Sequence, residues 1–258
     1  MGDPRPPRRG LRRSPSWLAR LRRPRPRTSR RKPVGEAGIR ALGHRAYVGG
    51  RWEEMGRRQF EFLQAHGLRP TMRFVDVGCG SLRGGVHLIP WLEPGHYFGI
   101  EKEPELVRAG LEEELDPVER DERRPTIVVD AGFDFGRLGS TFDMGIAQSL
   151  FSHVPPMVIR ACLARLRPFM ADAGVLYATF FETPAPVEHD ETPHDHGDFH
   201  YTRAEMRLFG IEAGWYPEYI GDWGHPRGQR MIAYHAREQR PDWAVPGAAR
   251  GGSPRDTP

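Results

Sequence analysis

Cysteine is scarce in this chain: two residues, Cys79 and Cys162, among 258. Two thiols make neither a disulfide framework nor a cysteine-rich metal cluster, so a reducing, cytoplasmic setting is expected. Long apolar runs are missing as well. No window approaches the ~18 consecutive apolar residues that begin to span a bilayer, and no membrane partner is expected. The N-terminus has paired arginines but lacks the apolar core of a secretory leader. Hydrophobic residues are 38% of the chain, against 30 glycines and 25 prolines. The core is therefore expected to be smaller than the length suggests. No internal repeat is present.

Apolar residues are sparse in residues 1–33, where Leu11, Trp17, Leu18 and Leu21 are the main ones. That segment carries 12 arginines and Lys32 against Asp3, a net +12; with +4 overall, residues 34–258 carry −8. A segment so poor in apolar surface cannot offset its ordering entropy and is expected to be a disordered arm. It suits either a solvated leader or a docking arm for nucleic acid. The acidic remainder disfavours binding to a phosphate backbone anywhere else. Residues 238–258 return to Pro/Gly/Arg composition and read as a tail, which leaves 34–237 as the folded domain.

Within that domain, residues 34–50 read as a transition with glycine joints at Gly43 and Gly49-Gly50. Trp52, Met55, Phe62 and Leu63 recur at helical spacing over about 51–66, and Gly67 suits a left-handed stop. From there apolar β-runs and helical patterns alternate. Strands are expected at 72–77, 97–101, 126–129, 142–147 and 175–181, with helices at 82–92, from Pro104, and from Pro155-Pro156. Residues 116–124 read as an acidic loop and 182–201 as a long one. Thr202 and Glu205 form a capping box for a further helix ending near Gly214. Two final strands, 216–220 and 230–235, follow. Alternation of this kind predicts an α/β fold with a mostly parallel sheet and helices on both faces.

The chemistry sits at the strand ends. Asp76 lies in the first strand, which runs directly into Gly78-x-Gly80, a turn that brings backbone N–H groups and a helix N-terminus to a ligand. The second strand ends in Glu101, 21 residues after Gly80, where an acid can accept from a ribose diol. The third ends in Asp130-Ala131, where a carboxylate can accept from an adenine amino group. Three acids on adjacent strand ends suit a nucleoside with a cationic head and repel a pyrophosphate. Each has a plainer use: Glu101 as a helix-capping acid and Asp130 as a turn former before Gly132.

Residues 73–85, with Glu101, Asp130 and Phe142-Asp143-Met144-Gly145-Ile146-Ala147, resemble the motif series of the class I S-adenosylmethionine (SAM)-dependent methyltransferases. The resemblance covers about residues 50–236. It implies a Rossmann-like seven-stranded sheet, six strands parallel and the last antiparallel, and SAM as the cofactor. It implies that Gly78, Gly80 and Ser81 hold the methionine part, Asp76 the ammonium, Glu101 the ribose, and Asp130 with Ala131 the adenine. Gln148 would lie near the methionine part. One departure stands out: the third glycine of the turn is replaced by Leu82, and Arg83 stands where a dinucleotide fingerprint needs glycine. That weakens a nucleotide-dependent oxidoreductase more than a methyltransferase, and Arg83 is a candidate partner for the cofactor carboxylate. A non-catalytic SAM-binding protein is disfavoured by the intact acids.

Six of the eleven histidines fall in loops beyond the strand ends: His153, His189, His194, His196, His200 and His225. His153, just before a helix, and His200-Tyr201, just before the capping box, are the candidate catalytic groups. His153 also suits a purely backbone-bonded position. His194-x-His196 with Asp190, Asp195 and Asp198 matches no defined metal spacing, and no metal is expected. Trp223, His225 and Arg227 lie between the last strands, where Arg227 is placed to hold an anionic substrate. The Asn/Asp-Pro-Pro-aromatic run of amine-directed enzymes is replaced by Gln148-Ser149-Leu150-Phe151. The expected acceptor is a small or saccharide-like molecule with oxygen as nucleophile; the alternative is a nucleic-acid or protein substrate docked through the arm.

Overall fold

The computed structural model describes Met1 and residues 33–189 and 197–238, and the chain divides into the units Met1–Arg31 and Lys32–Pro258. The basic arm, the tail beyond residue 238, and Asp190, His194, Asp195 and His196 lie outside the described residues.

Helices α1 (Gly35–Leu42), α2 (His44–Tyr47) and α3 (Trp52–Ala65) precede the sheet. Then follow β1 (Phe74–Val77), α4 (Gly85–Trp91), β2 (Tyr97–Glu101), α5 (Pro104–Ala109), α6 (Pro117–Arg123), β3 (Thr126–Val129) and β4 (Phe142–Ala147). The last part holds α7 (Pro156–Leu166), β5 (Met170–Glu182), β6 (His200–Tyr201), α8 (Arg203–Glu212), β7 (Tyr216–Asp222) and β8 (Arg230–His235). The main sheet has the order β3-β2-β1-β4-β5-β8-β7, with β8 antiparallel to both neighbours and β6 paired beside β5. The order reverses between β1 and β4. A crevice opens at such a switch point, beyond the carboxyl ends of the strands.

All four residues of β1 are buried, as a central parallel strand covered on both faces requires. Its alternation sends Val75 and Val77 to one core, with Ile159, Cys162, Leu163 and Leu166 of α7 and Met206 and Phe209 of α8. Phe74 faces the other core, with Met55 and Leu63 of α3 and Leu88 and Ile89 of α4. Asp76, two residues on, shares that second face at the mouth of the crevice.

Four stretches differ from the sequence expectation. Residues 116–124 are not a loop: Asp116 accepts from Val118 N–H (2.9 Å) and Glu119 N–H (3.2 Å) and caps α6, with Pro117 in the first turn. The density of charge there hid an ordinary helix start. Residues 34–50 are two short helices that reach the crevice. β5 begins at Met170, where its register against β4 shifts between Phe142 and Met144. Finally, β6 interrupts the long loop. The capping box of α8 forms in full: Thr202 Oγ1 accepts from Glu205 N–H and the Glu205 carboxylate accepts from Thr202 N–H, stabilising the helix by about 1 kcal/mol.

Candidate functional site

A cavity of about 600 Å³ occupies the crevice. The glycine turn forms its floor. Gly78 and Gly80 have φ of +73° and +56°, so the turn depends on glycine at both. Leu82, where the third glycine was missing, nevertheless takes φ +66° with its side chain fully buried. Burial of that leucine in the α4 core offsets a left-handed backbone that costs roughly 1–2 kcal/mol. Ser81 lies beside it, its Oγ buried without a hydrogen-bond partner among the described residues.

Glu101 joins the turn to β2. Its carboxylate accepts from Gly80 N–H (2.9 Å), Lys102 N–H (2.8 Å) and Glu103 N–H (3.0 Å). Burial pushes its pKa up and these backbone donors oppose the shift. Oε2 carries one of the three bonds and keeps a lone pair for a hydroxyl donor. Asp76 is buried and accepts from Tyr97 O–H (2.8 Å). Burial raises its pKa to about 7, the Tyr97 bond lowers it, and the charge of Glu101 raises it further. A cation placed against this carboxylate would return it to the ionised form. The sequence places Tyr97 in the second strand, but its bond to Asp76 was missed by the sequence reading.

At the end of β3, Asp130 does form the turn: Oδ1 accepts from Gly132 N–H (2.7 Å) and Asp134 N–H (3.1 Å). These backbone bonds, with Arg137, hold its pKa below the usual range. The turn carries Ala131 and Phe133 onto the cavity wall, Phe133 at φ +59°. An aromatic three residues after the acid was the signal for Phe133, and the sequence reading passed over it.

Arg83 reaches across the cavity. Nη1 donates to Val48 O (2.9 Å) and Gly50 O (3.2 Å), and Nη2 to Gln148 Oε1 (2.5 Å). Burial lowers its pKa to about 10 while Asp76 raises it, so it remains a cation at neutral pH. Among the described residues no carboxylate forms an ion pair with it. Arg83 thereby ties the segment after α2 to the end of β4, while His44 and Arg45 hold α2 to Glu114. Tyr47, Val48 and Gly49 become cavity wall in this way.

Of the candidate catalytic groups, His153 lines the cavity. Its Nδ1 lies 2.7 Å from Gly197 O and 3.9 Å from Asp198 Oδ1, and Asp198 is gripped by Arg227 at 2.9 and 3.1 Å. Donation to a carbonyl requires the proton on Nδ1, which places the lone pair on Nε2. The expectation for His200 and Tyr201 needs correcting: neither lines the cavity. Pairing of β6 with β5 turns the two side chains to opposite faces. His200 is exposed and stacks on Phe181, while Tyr201 is buried, donates to Val154 O (2.6 Å) and has its pKa raised by burial. His189 stacks on Tyr201 at 4.5 Å. His225 does face the cavity, beside Gln148.

No family model matches this chain, and no curated protein matches it. Solved structures do. It resembles magnesium protoporphyrin IX methyltransferase from Synechocystis PCC 6803 with bound SAH (S-adenosylhomocysteine), at 16% identity and TM-score 0.55, over 78% of this chain and 94% of that one. The same protein with bound SAM matches at 19% identity and TM-score 0.53, over 70% and 80%. The sugar N-methyltransferase from Streptoalloteichus sp ATCC 53650 matches at 20% identity and TM-score 0.54, over 80% and 95%.

Proposed function

We propose that this chain, which has the fold of the class I SAM-dependent methyltransferases, transfers a methyl group from SAM to a hydroxyl of a small or saccharide-like acceptor. One observation carries the reading: Asp76, Glu101 and the Asp130 turn stand at the ends of three adjacent strands around one cavity, with the glycine turn between them. The residues fit the cofactor group by group. Asp76 takes the ammonium, whose charge would oppose the burial that raises the pKa of this carboxylate. Oε2 of Glu101 takes a ribose hydroxyl, and Ala131 and Phe133 frame the adenine, placed by Asp130. Ser81 Oγ and Arg83 serve the carboxylate end; among the described residues the first has no hydrogen-bond partner and the second no carboxylate ion pair.

SAM supplies an activated methyl on sulfonium sulfur. The protein aligns the acceptor oxygen with that methyl and manages one proton. His153 is placed for the proton: with its Nδ1–H donated to Gly197 O, the Nε2 side of the ring would take the proton of the acceptor hydroxyl as that oxygen takes the methyl. The Asp198 carboxylate would favour the protonated ring that results. The small acceptor is supported by structural relatives that act on a porphyrin and a sugar.

Calorimetry with SAM and SAH on the full chain and on the Asp76→Ala and Glu101→Ala variants tests the reading. Binding by the wild type with large losses in both variants is expected; a wild type that binds neither nucleoside would end it.

A further inference from the structure

The polar side chains at the ends of β4, β5 and β8 form a buried network whose protons can be assigned one by one. Ser149 N–H donates to Thr179 Oγ1 (2.7 Å), and Thr179 O–H and Ser149 O–H both donate to Gln229 Oε1 (2.7 and 3.1 Å). The Gln229 amide donates to Ser152 Oγ (3.0 Å), and Ser152 O–H to Ser149 O (3.1 Å). Arg83 and Gln59 both donate to Gln148 Oε1. That fixes the Gln148 amide, because a guanidinium cannot face an NH₂ group at 2.5 Å. Its nitrogen therefore points at Ser149 Oγ (2.6 Å) and at His225 Nε2 (3.5 Å).

The His225 ring is fixed from the other side. Its Nδ1 accepts from Arg227 N–H (3.2 Å) and Gln229 N–H (3.4 Å). A neutral imidazole with an accepting Nδ1 carries its proton on Nε2. So Gln148 Nε2–H and His225 Nε2–H meet at 3.5 Å as two donors. Neither can satisfy the other. Both side chains are only 9% exposed and both line the cavity, so two buried donors converge on a point that needs an acceptor atom. The surroundings select its charge. Arg83, Arg227, Arg58 and Arg51 all act on His225 and, with burial as the largest cause, lower its pKa to about 4. The acids close by are engaged: Asp198 with Arg227, and Glu54 with Arg51 and Arg58.

We propose that Gln148 Nε2–H and His225 Nε2–H form a two-donor cradle for a carboxylate oxygen of a molecule bound in the cavity. His225 then serves as a fixed donor and not as a base, the opposite of His153, whose Nδ1–H bond leaves its lone pair on Nε2. A carboxylate has two sources, the methionine end of the cofactor or the methyl acceptor. The proposal rests on the SAM reading only in that one of its probes is SAH.

Two measurements on the full chain test it. Nitrogen-15 NMR of the histidine side chains reads the tautomer in the wild type without any variant. Nδ1 of His225 unprotonated and Nε2 protonated is expected across pH 6–8; the reverse overturns the cradle. Binding is then compared in wild type and His225→Asn, with SAH alone and with benzoate against its neutral isostere benzamide. Asparagine keeps an acceptor near the Nδ1 position for the two backbone N–H groups and removes the Nε2–H, and its melting curve checks that the loop is retained. A loss of at least tenfold for benzoate, with benzamide and SAH unchanged, supports the cradle and assigns it to the acceptor. A loss of that size for SAH alone supports it and assigns it to the cofactor. Unchanged affinities for both overturn it. If the wild type binds no SAH but binds benzoate through His225, the SAM reading fails and the cradle stands.

Discussion

On the donor side of the cavity, the groups that face the ligand are held mostly by main chain, with Asp76, held by Tyr97 O–H, as the exception. Glu101 is locked by three backbone N–H groups, Asp130 by two, and the glycine turn by its own dihedrals. On the acceptor side, the holding groups come from distant parts of the chain and are mixed: side chains hold Gln148 (Arg83), Ser149 (Gln229) and Asp198 (Arg227), while main chain holds the rings of His153 (Gly197 O) and His225 (Arg227 and Gln229 N–H). Backbone-held groups follow from the strand–turn–helix unit itself and suit a ligand whose shape does not vary. Side-chain-held groups can be changed one at a time without disturbing the sheet, which suits the part of the site that selects a substrate. The comparison predicts that substitutions on the two sides separate cleanly into effects on SAH affinity and effects on transfer.

The largest effect is expected at His153. In His153→Ala, methyl transfer measured with methyl-labelled SAM falls about 10²- to 10⁴-fold, while SAH binds as in the wild type. Weakened SAH binding in this variant would dissolve the boundary between the two sides. Next comes Glu101→Ala, which removes a ribose acceptor and strands three backbone donors. SAH affinity should fall roughly 100-fold, about 2.7 kcal/mol, and a change below threefold by calorimetry would remove Glu101 from the donor side.

Asp76 gives a smaller, pH-dependent effect. Its folded-state pKa of about 7 lies above the ordinary carboxylate value. The carboxylate form binds the ammonium, so SAH affinity should strengthen as pH rises from 6 to 8 and level off above. Asp76→Asn should bind weakly with no such slope. In the free protein the sign is reversed. A raised folded pKa contributes stability that is full below the unfolded pKa and is lost as pH rises through the folded one. Asp76→Asn should therefore melt a few degrees higher than the wild type at pH 8, with the gain shrinking towards pH 4. A variant that melts lower at pH 8 would contradict the burial of an unpaired carboxylate. The smallest effect is expected on removing residues 2–31: transfer to a small acceptor should be unchanged, and a large loss would favour docking through the basic arm.

The donor side was largely legible in the sequence because its parts are contiguous. A β-run, a glycine turn and an acid at the end of the next strand follow one another within 30 residues, and the parallel order brings them together. Leu82 shows the limit: the missing glycine looked like a defect, yet the backbone takes the glycine conformation and the leucine is absorbed by the core. The acceptor side was legible only as a set of loops rich in histidine. Which histidines face the cavity depends on contacts spanning long sequence separations, such as Gln148 with His225 and His153 with Gly197. His200 and Tyr201 were misplaced because a two-residue strand fixes which of them turns inward, and so short a strand leaves no periodic signal. The reading of 34–50 as a mere transition failed for a related reason. Those residues reach the site through Arg83 and Glu114, and nothing local announces either contact.

The central claim is that three strand-end acids make this cavity a site for a cationic nucleoside and exclude a dinucleotide. Side-by-side calorimetric titration of the full chain with SAH and with NADH tests it most directly. One-to-one binding of SAH and none of NADH is expected at the same concentrations; binding of NADH without SAH would contradict the claim.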